Sequence, residues 1–363
     1  MRRAPLAAAL ALAVASAGCW DFRDTDERAL VLMVGIDRGQ TAPYQVSVQI
    51  PIPRGGAPEA LIASDFRVLA EEGRTVEEAL EKIRASLYRF MELGQVKVVI
   101  VGEAVAREGL GGIDWLWHSR RFPAVAFLAV AREPVAEVIR ARTPPVALPA
   151  LFLYHAFRPT HGVDDGVVPV ERWQALQRLR SPLEDVFLPG VTSRKYGLNV
   201  EGVAVFREGR LVGWFSPEES RTFNRLRSTR FYGSLAVPRG GGGKPGDLLL
   251  TGGRSRYGVR VGAGGEPVLW AHLEAQAAVR ERDEMPIREL EAAGARQLEE
   301  ETRRVLARLQ ALGADPLGFG ERLRRLDPTH PAVAGPEAWR RAYARAPLEV
   351  EAVIRIRTTG YTR

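Results

Sequence analysis

Cysteine is almost missing from this chain: 363 residues carry one, Cys19. A single thiol excludes an intrachain disulfide framework and every cysteine-rich zinc or iron–sulfur site. Long apolar runs are missing too. The stretch from Leu6 to Ala15 falls well short of the roughly 20 residues a spanning helix needs, and no later stretch is longer. The five histidines form no H-E-x-x-H motif. His155 and His161 lie closest together, near Asp164 and Asp165, and read as part of a solvated loop rather than a metal site. No G-x-S-x-G nucleophile elbow occurs. Net charge is +7, yet Lys and Arg alternate with Asp and Glu and no block of five or six like charges forms. That pattern argues against a nucleic-acid-binding patch. The glycine tract Pro238 to Gly246 fails as a phosphate loop, because Pro238 stands at the first glycine position and Pro245 where Ser or Thr would hold magnesium. Carboxylate pairs are present at Glu71-Glu72, Glu77-Glu78 and Glu299-Glu300-Glu301, on surfaces expected to be solvated. These absences leave no visible active site, cofactor site or metal site, and the chain reads as non-enzymatic.

What is present begins at the N-terminus. Arg2 and Arg3, the apolar run and then Ser16, Ala17 and Gly18 have the layout of a secretory signal peptide. Two processing routes fit. Ala15-Ser16-Ala17 satisfies the A-x-A rule and would release a soluble protein. Ser16-Ala17-Gly18-Cys19 resembles a bacterial lipobox, with Ser16 where leucine is usual. Cleavage there leaves Cys19 first, its sulfur carrying a diacylglycerol. Two acyl chains, at about 0.8 kcal/mol per buried CH₂, anchor stably where one is marginal. The second route accounts for the lone thiol and is the preferred reading.

Along the body, strand and helix signals alternate. Ala29 to Ile36 is a continuous apolar run, as in a doubly buried strand, and Tyr44, Val46, Val48 and Ile50 alternate with polar residues. Thr75 and Glu78 predict a capping box at the start of a helix through Val76, Leu80, Ile83, Leu87 and Phe90 or Met91, stopped by Gly94. Strands are expected at Val96 to Val101 and Ala124 to Val130, and short helices at Ile113 to Trp117 and Val135 to Arg140. Pro144-Pro145 and Pro149 suggest a boundary. A helix near Val170 to Leu179 follows, then a hairpin from Leu198 to Trp214 that turns at Glu208-Gly209. Ser216-Pro217-Glu218-Glu219 predicts an N-cap, a first-turn proline and a second capping box. Beyond the glycine tract come short strands near 247–251, 256–261 and 267–279, then a long helix from Ile287 to Leu312 closed by Gly313. Leu348, Val350, Ile354 and Ile356 mark a last strand.

The expected class is α+β: three mixed α/β domains with mainly antiparallel sheets and packed helices. Residues 1–18 read as a lipoprotein signal peptide that is removed. The domains fall at 19–143, 144–238 and 247–363, with 239–246 a Gly-rich linker and the long helix 287–312 in the last domain.

Four segments then carry a resemblance. Gly18-Cys19-Trp20-Asp21 followed by "ALVLMVGIDRG" looks like the start of the Ger(x)C family, the lipoprotein (C) subunits of nutrient germinant receptors in endospore-forming bacteria. "EGRTVEEALEKIRASLYRFMELGQVKVVIVGEAVAREGL" is similar to that family's helix–strand segment. "GVAVFREGRLVGWFSPEESR" resembles its central motif, with Phe215 and Ser220 as departures, and "ADPLGFGERLRRLDP" followed by Trp339 resembles its D-P-x-G-F-G segment. The resemblance implies a lipid-anchored, non-enzymatic protein on the outer face of the inner spore membrane. It would act with two integral membrane subunits in triggering spore germination. Cys19 transfers as the lipid attachment site, and no catalytic, cofactor-binding or metal residue does. A lipid-anchored solute- or cell-wall-binding protein is the alternative, and an exported hydrolase a more distant one.

Overall fold

A computed structural model describes residues 27–52, 65–143, 148–158, 166–195, 197–238, 246–280 and 285–358. Its first elements are β1 (Arg28–Leu30), β2 (Met33–Arg38), β3 (Tyr44–Ile52), β4 (Asp65–Gly73) and α1 (Val76–Ala85). Then come β5 (Phe90–Glu92), β6 (Val98–Gly102), α2 (Glu103–Glu108), α3 (Asp114–His118), β7 (Phe127–Ala131), α4 (Val135–Arg140) and α5 (Pro149–Phe157). The central part holds α6 (Arg172–Arg180), β8 (Phe187–Arg194), β9 (Gly197–Arg207), β10 (Arg210–Phe215) and α7 (Pro217–Arg227). The last part holds β11 (Phe231–Val237), β12 (Gly246–Val261), β13 (Pro267–Val279), α8 (Ile287–Leu312), α9 (Phe319–Leu326), α10 (Pro336–Tyr343) and β14 (Leu348–Thr358). The class is mixed α and β with mainly antiparallel pairing.

Eight strands form one sheet in the order β10-β9-β8-β7-β6-β2-β3-β4, and four form a second in the order β11-β12-β13-β14. The first sheet is covered on both faces, which explains why its central strands β6 and β7 are apolar throughout: VVIVG and FLAVA are buried at every position. One face packs Leu80, Ile83, Val105 and Leu116; the other packs Val135, Ile139, Leu153 and Phe157. The first face continues without a break into the second sheet, through Phe187, Phe215, Phe223, Leu235, Leu306 and Leu309.

Pairing crosses both positions where the sequence suggests a division. Residues 144–147 lie outside the described set, but β7 before them pairs in parallel with β8 after them (Val130 opposite Gly190). Buried Gln49 also bridges that stretch, donating to the Ile139 carbonyl at 2.9 Å and accepting from the Ala150 N–H at 3.2 Å. On either side of residues 239–245, also outside the described set, Val237 pairs with Gly246, so the strands flanking the glycine tract belong to one sheet.

Several local expectations differ from the structure. The run Ala29 to Ile36 is two strands, β1 and β2. At the break, the Val31 N–H turns to Glu92 O and the Leu32 N–H to Gln49 O. Helix α1 ends at Ala85 rather than near Gly94, because Phe90–Glu92 is recruited as β5, the parallel partner of β1. Only half of its capping box forms: Thr75 Oγ accepts from the Glu78 N–H, but the Glu78 carboxylate accepts from the Arg74 N–H instead. The two strands expected at 247–251 and 256–261 are one, β12, carried through Gly252-Gly253 by a register shift. Helix α8 spans the expected residues, with Leu290, Leu298, Val305, Leu306 and Leu309 buried.

Candidate functional site

Two of the motif segments meet at the junction of the sheets. The segment from Gly202 to Arg221 builds β9, β10 and the start of α7. At its N-terminus Ser216 Oγ accepts from the Glu219 N–H at 3.3 Å, and the Ser216 N–H donates to Glu219 Oε2 at 2.7 Å. This reciprocal cap turns the chain from the edge of the first sheet into a helix lying between the two. Phe223 on α7 packs edge-on to Phe187 at 5.1 Å and against Phe215 at 5.6 Å. From α8, Arg308 donates to Trp214 O at 2.7 Å and to the Glu219 carboxylate at 2.5 Å. Arg225 on α7 is only 2% exposed. Its guanidinium donates to Ser234 O on β11 at 2.7 Å and lies 3.4 Å from Glu301 on α8. A guanidinium taken out of water at this depth is tolerated because a carboxylate and a carbonyl replace its hydration.

The second motif, Ala314 to Pro328, closes the same junction from the other side. Gly313 ends α8 in the left-handed conformation. The Asp315 N–H then donates to Asp185 Oδ2 at 2.8 Å, and the Asp185 N–H donates to Asp315 O at 3.0 Å. Asp185 Oδ1 accepts from the Glu208 N–H in the β9–β10 turn at 2.9 Å. Asp315 Oδ2 accepts from the Gly320 N–H at 2.8 Å and from Trp339 Nε1–H at 3.1 Å. A Cβ at position 320 would stand 2.7 Å from Trp339 Nε1 and 2.8 Å from Leu183 O, so the close approach admits only glycine. Burial pushes the Asp315 carboxyl up to about 7, with the nearby Asp185 charge adding to the rise. Asp185 is also raised, again chiefly by burial. A cavity of about 230 Å³ opens beside the pair, lined by Leu183, Glu208, Trp339 and Arg340 among others, and Arg340 pairs with Glu208 at 2.6 Å. The carboxylates face backbone N–H groups and an indole, an arrangement that joins two parts of a fold.

Cationic side chains crowd the same region. Arg178 and Arg227 lie 4.8 and 4.6 Å from the Phe187 ring centre. Burial, then the neighbouring Arg178 charge, lowers Arg227 to about 10. Glu184, 3.0 Å from Arg178, supplies the countercharge.

Of the residues the sequence singles out, Cys19 lies outside the described residues, as do His161, Asp164 and Asp165. His155 is on α5 and meets Tyr154. His118 contacts the Asp114 carbonyl, and His330 accepts from the Ala332 N–H to start a short 3₁₀ turn. All three carboxylate groups expected on solvated surfaces contain a partnered member. Glu78 meets Arg74, as described. Glu72 accepts from the Thr41 hydroxyl and from the N–H groups of Gln40, Thr41 and Ala42. Those bonds, the hydroxyl's foremost, lower it to about 2. Glu299 accepts from the Ala352 N–H, and Glu301 faces Arg225. Sequence reasoning missed Asp185, Arg225 and Arg308 altogether. The signal for Asp315 was the D-P-x-G-F-G segment followed by a tryptophan; no local signal marked its partners.

Comparison with known proteins fits this geometry. Residues 21–193 match the family model described as "Spore germination protein N-terminal domain", and residues 201–360 match "Spore germination B3/GerAC like, C-terminal". The limit between them falls in the β8–β9 hairpin, so the second match contributes β9 and β10 to the first sheet. The putative spore germination protein YfkR of Bacillus subtilis (strain 168) is 23% identical over 97% of this chain and 95% of its own. Spore germination protein GerQC of Bacillus cereus is 21% identical over 97% and 98%. Spore germination protein KC of Bacillus subtilis (strain 168) is 26% identical over 56% of each chain. The crystal structure of the GerBC protein shares the fold, with a TM-score of 0.58 at 17% identity over 89% of this chain and 96% of that one.

Proposed function

The chain belongs to the Ger(x)C family of spore germination proteins, and on that premise we propose that it is a lipid-anchored, non-enzymatic subunit of a spore nutrient germinant receptor. In this reading a diacylglycerol on Cys19 holds the folded part at the outer face of the inner spore membrane, beside two integral membrane subunits. The observation that carries it is the pair of family matches, in order, across 21–360, together with a lone cysteine set directly after small residues at the end of an export signal. No helix among the described residues is long and apolar enough to cross a membrane; in this reading the two acyl chains on Cys19 are the attachment.

The test is Cys19→Ala in sporulating cells. The variant is expected to lose incorporation of labelled palmitate and to move from the membrane fraction to the soluble one. Continued labelling and sedimentation with membranes would overturn the anchor. Affinity purification of the wild-type chain from detergent-solubilised spore membranes is expected to bring down two multi-span proteins. Their absence would overturn the receptor assignment.

A further inference from the structure

The second sheet has one face against α8 and α9 and the other open to solvent. Leu248, Leu250, Leu269, Leu273 and Ile354 point inward. Alternation puts Arg254, Glu274 and Gln276 on the outer face, with Val353, Arg355 and Arg357 beside them. Gly252 lies opposite Gln276, which lies opposite Arg355; Arg254 lies opposite Glu274, which lies opposite Val353. With Arg230 and Tyr232 from the next strand and its approach, these residues enclose a groove of about 600 Å³. That volume falls in the usual range for small-molecule sites, roughly 300–1,000 Å³.

We propose that this groove binds a small soluble polyanion through Arg230, Arg254, Arg355 and Arg357. Two arginines on or beside the same sheet are neutralised, Arg260 by Glu349 at 2.5 Å and Arg280 by Asp247 at 3.6 Å, while Arg256, next along the open face from Arg254, has no ion pair among the described residues. The side chains of the four in the groove have no hydrogen bond or ion pair among the described residues. The carboxylate lining the groove, Glu274, is engaged by His272 Nε2 at 3.1 Å, whose other ring nitrogen lies 3.6 Å from Glu351. Like charges gathered on one face repel, and a ligand carrying two or more phosphate or carboxylate groups relieves that repulsion. Guanidinium forks suit those groups because each presents paired N–H donors to two oxygens at once.

Gly252 adds an independent observation. Its backbone is not left-handed, and a Cβ there would meet nothing within 4 Å. Neither conformation nor packing demands glycine, and the missing side chain leaves the groove floor open toward Gln276. The concave shape suits a compact anion better than a flat bilayer surface.

Calorimetric titration of the full chain in neutral detergent at low ionic strength, with pyrophosphate and separately with citrate, tests the proposal. Saturable one-to-one binding of at least one anion is expected. It should weaken at least tenfold in Arg254→Gln/Arg355→Gln and weaken with rising salt. Gly252→Leu should weaken binding similarly while keeping the wild-type melting temperature, which separates a filled groove from a damaged fold. No saturable binding of either anion, or binding unchanged in both variants, overturns the proposal. A flotation arm uses the Cys19→Ala full chain, so that no tether contributes. Arginine-dependent binding to phosphatidylglycerol vesicles, without binding of the soluble anions, also overturns it and assigns the groove to lipid headgroups.

Discussion

Asp315 is an acid held where water cannot reach it. Its folded-state pKa of about 7 lies above the ordinary value of 3.8, so the folded protein keeps a proton there that the unfolded chain releases. The stability from that proton is fully present below about pH 4 and is lost as pH rises through 7. A shift of this size corresponds to at most about 4 kcal/mol. Asp315→Asn keeps an oxygen for the Gly320 and Trp339 donors but cannot titrate. Denaturant melts from pH 4 to pH 8 are expected to show wild-type stability falling across that interval relative to the variant. Parallel curves would show that the carboxyl is charged in the fold. The sequence displayed Asp315 inside a recognisable segment, but not its environment. Its partner Asp185 lies far away along the chain, and a buried pair of this kind leaves no local periodicity to read.

Elements whose signals are local were legible. Ser216-Pro217-Glu218-Glu219 predicted the start of α7, and the apolar stripe of α8 predicted its extent, because capping and amphipathicity act within a few turns. Legibility failed where tertiary pairing overrode local preference. Leu87 to Met91 continue a helical pattern, yet Phe90–Glu92 is needed to pair with β1. Thr75 and Glu78 have capping-box spacing, yet Glu78 is engaged by Arg74 at 3.1 Å. Ser216→Ala is expected to lower stability by about 1 kcal/mol, read as a lower denaturant midpoint with an unchanged slope. Thr75→Ala removes the single capping bond that its hydroxyl accepts and should likewise cost about 1 kcal/mol.

At the scale of the molecule, the two sheets share a buried core and a polar seam. Arg225 ties α7, the helix lying between the sheets, to the second sheet through Ser234 and to α8 through Glu301, which couples their stabilities. Differential scanning calorimetry of the wild-type protein is expected to give a single transition. Arg225→Ala leaves the half-buried Glu301 without its cation and removes the bond to Ser234, and is expected to split the transition in two. A single unsplit peak at a lower temperature would show that the apolar core alone couples the sheets. The mixed α and β class was legible from alternating strand and helix signals. The joining of β7 to β8 across Pro144-Pro145 was not, because proline marks where a chain bends and says nothing about which strands later meet.

The parallel pairing of β13 with β14 bears on how the chain comes to be folded. β13 lies between β12 and β14, and β14 is reached only after α8, α9 and α10. Until that final segment has been synthesised, β13 presents an unpaired edge to any other strand. Slow, late closure of this kind leaves a window for aggregation that earlier elements cannot shorten. A chain cut short before Leu348 therefore keeps the long β13 edge unpaired, whereas in the full-length chain β14 covers it and becomes the edge itself.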